Sequence, residues 1–146
     1  MSAAIRSLAL VALLGQLSCA SSFIDPTGRL TSLEEIQHKY TQLVRWGELR
    51  RAALFVEPDV VEEFLSYQPY FEDIRITDVD EEEVALDPSE DTASVTVTYH
   101  AYSYRTLEEK RFIETQKWTR YDGVKNVWMV RPELAQIVEA FHTTTQ

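Results

Sequence analysis

Tyr99, His100, Tyr102 and Tyr104 fall within six residues of one another, and Trp118, Tyr121 and Trp128 follow shortly after. An imidazole titrates near neutrality, so His100 among aromatic walls could act as an acid or a base. His100, Tyr102, Tyr104 and Trp118 are therefore the candidate ligand-binding residues. The same residue types also serve strands that merely pack cross-strand pairs. In an alternating segment His100 and Tyr99 point to opposite faces. Asp78, Asp80, Glu81, Glu82 and Glu83 offer the oxygens a hard cation wants. They lack the glycine and distal glutamate of a calcium loop, and they read as a solvated turn between strands. The acidic run Asp87-Pro88-Ser89-Glu90-Asp91 reads the same way. His38 and His142 have no His or Cys companion at ligand spacing, so no metal site is expected. There is no G-x-S-x-G and no glycine-rich phosphate loop, with only four glycines in the chain. No catalytic residue and no cofactor is expected.

Cys19 is the one cysteine, which excludes an internal disulfide and a zinc site built on several thiolates. It follows a distinctive segment. Arg6 places positive charge near the start, Leu8 to Leu14 is a continuous apolar core, and Gly15-Gln16-Leu17-Ser18 brings in small and polar residues. This is the layout of a secretory signal peptide over residues 1–18. The apolar run is far shorter than the ~20 residues that span a bilayer. Leu17-Ser18-Cys19 resembles the lipobox of bacterial lipoproteins, with Gln16 where that family usually has an aliphatic residue. The resemblance implies that Cys19 becomes the mature N-terminus and carries diacylglycerol and an amide-linked acyl chain such as palmitate. It implies outer-membrane sorting as well, because Ala20 stands where Asp is the usual retention signal. Residues 19–30 would then be the anchor site and a tether rich in turn formers, Ser21, Ser22, Pro26 and Gly28. The alternative is cleavage after Ala20, since Ser18 and Ala20 are small residues at the A-x-A spacing. That cut would discard Cys19 and leave a soluble periplasmic protein.

The formal net charge of -10 argues against nucleic acid, whose phosphates are bound by Lys and Arg. It also argues against attachment to an anionic membrane by a basic patch. The expected membrane contact is the lipid alone.

Residues 31–146 read as a single domain. Ser32 with Glu35, or Thr31 with Glu34, has the spacing of a capping box. Leu33, Ile36, Tyr40, Leu43 and Val44 then form one apolar stripe, and Gly47 stops the helix. Glu48 to Val56 predicts a second helix. Asp59 and Glu62 open a third, which Pro69 ends. From Tyr70 the period changes to two. Ile74 and Ile76 start the first strand, and Val84 and Leu86 continue the pattern beyond the acidic turn. Val95, Val97, Tyr99 and Ala101 alternate with Thr96, Thr98, His100 and Tyr102. Leu107 to Lys110 is a hairpin turn, Arg111 to Tyr121 the returning strand, Asp122-Gly123 a tight turn, and Val124 to Val130 the last strand. Leu134, Ile137, Val138 and Phe141 predict a closing helix.

Helices followed by a meander predict an α+β fold: N-terminal helices on a curved antiparallel sheet of about four to five strands, with a short C-terminal helix. Residues 32–131 resemble the ketosteroid-isomerase-like and nuclear-transport-factor-like superfamily, whose cone encloses a pocket. Tyr40-Thr41-Gln42-Leu43-Val44-Arg45-Trp46-Gly47-Glu48-Leu49 is similar to its first helix running into its second. No residue of that superfamily carries over as catalytic. The expected function is a non-enzymatic, exported lipoprotein that binds a protein or a small apolar ligand at the envelope. One alternative is a cone-fold isomerase or dehydratase using His100 with a carboxylate. Another is a soluble periplasmic interaction protein whose aromatic sheet face docks a partner.

Overall fold

The computed structural model describes residues 28–87, 89, 91–121 and 127–141. The signal peptide, Cys19, the Asp122-Gly123 turn and His142 lie outside the described residues. Helix α1 (Arg29–Arg45) is followed by α2 (Leu49–Ala52), which tightens into a 3-10 turn over Ala53–Phe55. A second such turn, Pro58–Val60, leads into α3 (Val61–Ser66) and α4 (Gln68–Glu72). Strands β1 (Ile74–Glu81), β2 (Ala85–Asp87), β3 (Thr92–Ser103), β4 (Glu109–Tyr121) and β5 (Val127–Glu133) precede α5 (Ala135–Phe141). The strands form one antiparallel sheet in the order β1-β3-β4-β5, with β2 also pairing β3 on the β1 side. The fold class is α+β, as the order of periodicities predicts.

α1 carries the stripe Leu33, Gln37, Tyr40, Thr41 and Val44 onto the sheet. It begins one turn earlier than the capping boxes predict. Gly28, with φ of 65°, takes the cap position and no side chain caps the helix. Ser32 is used differently: its Oγ donates to the Arg29 carbonyl at 3.0 Å and accepts from Trp128 Nε1 at 3.1 Å, tying α1 to β5. The end of α1 follows expectation. Gly47 has φ of 69°, its N–H bonds the Val44 carbonyl at 2.9 Å, and the Glu48 N–H bonds that of Leu43 at 2.8 Å. This is a Schellman closure, which a left-handed glycine makes without steric cost.

Three local expectations are corrected. Asp59 does not cap α3. Its carboxylate goes to Arg131 on β5 at 2.6 Å instead, so a tertiary ion pair displaces the local bond. Pro69 does not end the helical region. It stands in the first turn of α4, where a missing N–H costs nothing. Asp78, Asp80 and Glu81 are not in a turn. They extend β1 past a bulge at Thr77, so the strand outlasts its apolar residues because β3 supplies partners as far as Val97. Pro132 lies inside β5, opposite Gln116, so the last strand runs past the expected Val130 to Glu133.

The core lies between α1, the short helices and one face of the sheet. Val95, Val97, Tyr99 and Ala101 of β3 face it, as do Phe112 and Trp118 of β4 and Trp128 and Val130 of β5. Tyr99 stacks on Phe112 at 5.0 Å between ring centroids, and Tyr40 meets Trp118 edge-on at 5.7 Å. β5 leaves β4 at Thr115. α5 covers the vacated edge, with Gln136 Oε1 accepting the Ile113 N–H at 3.2 Å and Phe141 packing on Phe112.

Candidate functional site

Alternation along β4 puts Phe112, Glu114, Gln116 and Trp118 on the inner face, against the polar side of the α1 stripe. Glu114 is fully buried. Tyr40 from α1 donates to its Oε1 at 2.6 Å. Tyr99 from β3 and Gln116 donate to its Oε2 at 2.7 and 2.9 Å. The network continues outward. Gln116 Nε2 reaches Thr41 Oγ1 at 3.1 Å, Gln37 Nε2 reaches the same oxygen at 3.0 Å, and Trp118 Nε1 donates to Gln116 Oε1 at 3.2 Å.

Burial pushes the Glu114 carboxyl above its ordinary value, while the bonds from Tyr40, Gln116 and Tyr99 pull it back. Burial also raises both phenols, and the adjacent carboxylate raises them further, so each keeps its proton and acts as a donor. Both carboxylate oxygens are thus occupied by protein donors. A carboxylate held this way stabilises its neighbours. Oε1 accepts one of these bonds and Oε2 two, all from the protein's own donors.

The residues singled out by type are not brought together. Trp118 is on the inner face, buried among Tyr40 and Gln116. His100 is on the outer face of β3, where Nε2 lies 3.0 Å from Asp80 Oδ2 and Nδ1 lies 3.9 Å from Glu109 Oε1. Tyr102 is half-buried on the same face, and Tyr104 is exposed beyond the strand and packs edge-on against it at 5.8 Å. An imidazole with two carboxylates is therefore present, but the sheet separates it from the helix-covered interior.

The outer face also bears an open groove of about 440 Å³. Ser94, Thr119, Lys117, Arg131 and Glu57 line it, together with the paired Ala93 and Trp118. Its cations are already paired: Arg131 with Glu57 and Asp59 at 2.7 and 2.6 Å, and Lys117 with Glu133.

Reading by residue type missed Glu114 and Gln116. The signal was available in the period: Phe112 and Trp118 flank them at even spacing, so all four share a face. Tyr40 and Thr41 were legible only as helix residues.

No protein-family model matches the sequence, and no curated protein matches it in sequence. Solved structures do match in shape. A ketosteroid isomerase-like protein from Erwinia carotovora atroseptica SCRI1043 superposes with a TM-score of 0.51 at 15% identity, over 71% of this chain and 92% of its own. A SnoaL-like protein from Mesorhizobium loti gives 0.41 at 14% identity, over 68% and 97%. A TraE protein in complex with 2-(2-furyl)isonicotinic acid gives 0.42 at 18% identity, over 68% and 96%. The chain has the fold of the ketosteroid isomerase-like proteins, at an identity that speaks to the fold alone.

Proposed function

We propose that this protein is an exported lipoprotein, held by Cys19 at the periplasmic face of the outer membrane, whose domain binds a ligand or partner rather than catalysing a reaction. The binding half rests on one observation: the inward carboxylate, Glu114, spends both oxygens on Tyr40, Tyr99 and Gln116. The side of the sheet that a cone fold would turn towards a substrate is filled by Tyr40, Tyr99, Phe112 and Trp118. The isomerase alternative finds its histidine and carboxylate paired, but on the face of the sheet opposite the helix-packed core. Support for the anchor comes from the sequence: the apolar core from Leu8, the small residues before Cys19, and Ala20 after it.

Each half has its own test. Glu114→Leu would orphan three buried donors, each worth about 1–3 kcal/mol, so denaturant titration should show a large loss of stability. A variant as stable as the parent, or more so, would mark Glu114 as a functional carboxylate kept at the expense of stability and would overturn the binding reading. For the anchor, intact-mass analysis of the membrane-extracted protein should show acyl mass that vanishes in Cys19→Ala. Acyl mass that persists in the control, or a mature N-terminus at Ser21, would remove Cys19 from the role.

A further inference from the structure

Where α1 ends against β1, the surface departs from the acidic character of the rest. Arg45, Trp46, Gly47, Phe71, Ile74, Arg75, Ile76 and Tyr104 line a recess of about 100 Å³. Its accessible lining is more polar than apolar, with three apolar side chains at its floor. Phe71, Ile74 and Ile76 are 5–7% exposed, whereas most of the core is at 0–2%. Its rim is aromatic, with Trp46 at 65% and Tyr104 at 55% exposure. Gly47 adds no side chain to the wall, and a Cβ there would stand in ordinary contact with Phe71, 3.7 Å from its Cβ.

Its charge is cationic and incompletely used. Arg45 lies with Cζ 5.7 Å from the centre of the Trp46 ring and donates from Nη2 to the Thr77 carbonyl at 3.2 Å. Arg45 Nε is buried and has no hydrogen-bond acceptor among the described residues. A buried donor without a partner is rare in native structures, and one on a guanidinium is the more costly kind. The bond to Thr77, at the β1 bulge, holds this guanidinium against β1. Arg75 adds a second exposed cation, and Arg105, paired to Asp73 at 2.8 Å, stands close by in sequence to Tyr104.

We propose that this recess binds a small monocarboxylate with a flat or short apolar body. The carboxylate would accept from the Arg45 guanidinium, which suits that planar acceptor better than an ammonium does. The apolar body would lie on Phe71, Ile74 and Ile76 between Trp46 and Tyr104, and the volume suits a single ring. The net charge of -10 does not forbid this, because charges beyond about 8 Å are screened at physiological ionic strength while the arginines act at contact. The site deepens the binding role proposed above, yet it is independent of the interior and of the anchor.

The test uses the full chain as purified, with benzoate as the probe and benzamide as its neutral isostere, followed by calorimetry and by Trp fluorescence. The expected result is a benzoate dissociation constant of about a millimolar or below. Benzamide should bind about ten-fold more weakly, the order by which losing a charge-assisted bond shifts affinity. Arg45→Gln should weaken benzoate to the benzamide level. Tyr104→Ala, at an exposed position, should weaken both probes alike. Arg50→Gln, an exposed arginine away from the recess, should change neither. Equal affinity for the two probes, benzoate affinity unchanged in Arg45→Gln, or no binding by the parent protein would each overturn the proposal. Failure here with acyl mass still on Cys19 and an unstable Glu114→Leu leaves the anchored binding role standing. The reverse pattern leaves the recess standing without it.

Discussion

Glu114 couples the interior to pH. Its carboxyl is raised above the ordinary value of 4.5 chiefly by burial. The folded state therefore holds a proton that the unfolded chain releases, and folding stability falls as pH rises from about 4.5 through the folded value. Above that value both states are charged and the contribution is flat. The groups facing it are Tyr40 and Thr41 from α1, Tyr99 from β3 and Gln116 from β4, with Glu81 of β1 acting on Tyr99. Asp59 and Asp91 work in the opposite sense, since Arg131 and Arg120 respectively hold them low; their contribution disappears as pH falls. Comparing the parent with Glu114→Gln cancels those terms. Urea titrations at stepped pH should show the parent's decline above pH of about 4.5 missing from the variant. Identical pH profiles would mean that Glu114 is not titrating in that range. Neither Glu114 nor Arg45 stands out by residue type, because a glutamate in a strand and an arginine at a helix end are ordinary until something is known to cover them.

At the scale of elements, the stripes and alternations held and the local caps did not. Helical period in α1 and two-residue period in β3 each report a buried face directly, and both faces are where the periods put them. Ser32 and Asp59 have the residue types of caps, but each found a partner on β5, Trp128 and Arg131. A capping bond is worth about 1 kcal/mol, a margin that tertiary contacts overturn. Gly47 is the exception, because a positive φ is a backbone demand that no distant partner relieves. Gly47→Ala should cost about 1–2 kcal/mol from the left-handed backbone alone, as its Cβ would meet Phe71 only at ordinary contact distance. A thermal midpoint unchanged by that substitution would refute the assignment. α5 is seven residues long and held by packing. Ile137→Ala, at a fully buried position, should lose about 2–5 kcal/mol. Hydrogen exchange at Ile113, whose N–H bonds Gln136, should accelerate with it. Protection at Ile113 that survives the substitution would show that α5 does not depend on that anchor.

At the scale of the whole molecule, an acidic domain on a lipid would be held by acyl chains and not by charge. Membrane fractions washed in about 1 M salt should retain the protein, because screening at that strength acts beyond about 3 Å and leaves acyl burial intact. Detergent should release it. Release by salt alone would point to an electrostatic attachment and against the anchor. The sequence by itself determined the α+β class, the order of helices and strands, and the inward faces of α1 and β3. Each of these is a local periodicity or a contiguous motif, so neighbouring residues suffice to encode it. Only the tertiary structure decided that Tyr40 meets Glu114 across 74 residues of chain, that His100 is turned away from that interior, and that Arg45 roofs a recess above Ile74 and Ile76. These depend on which α1 residue faces which β4 residue. That register is set by packing the whole core at once, and no single segment carries it.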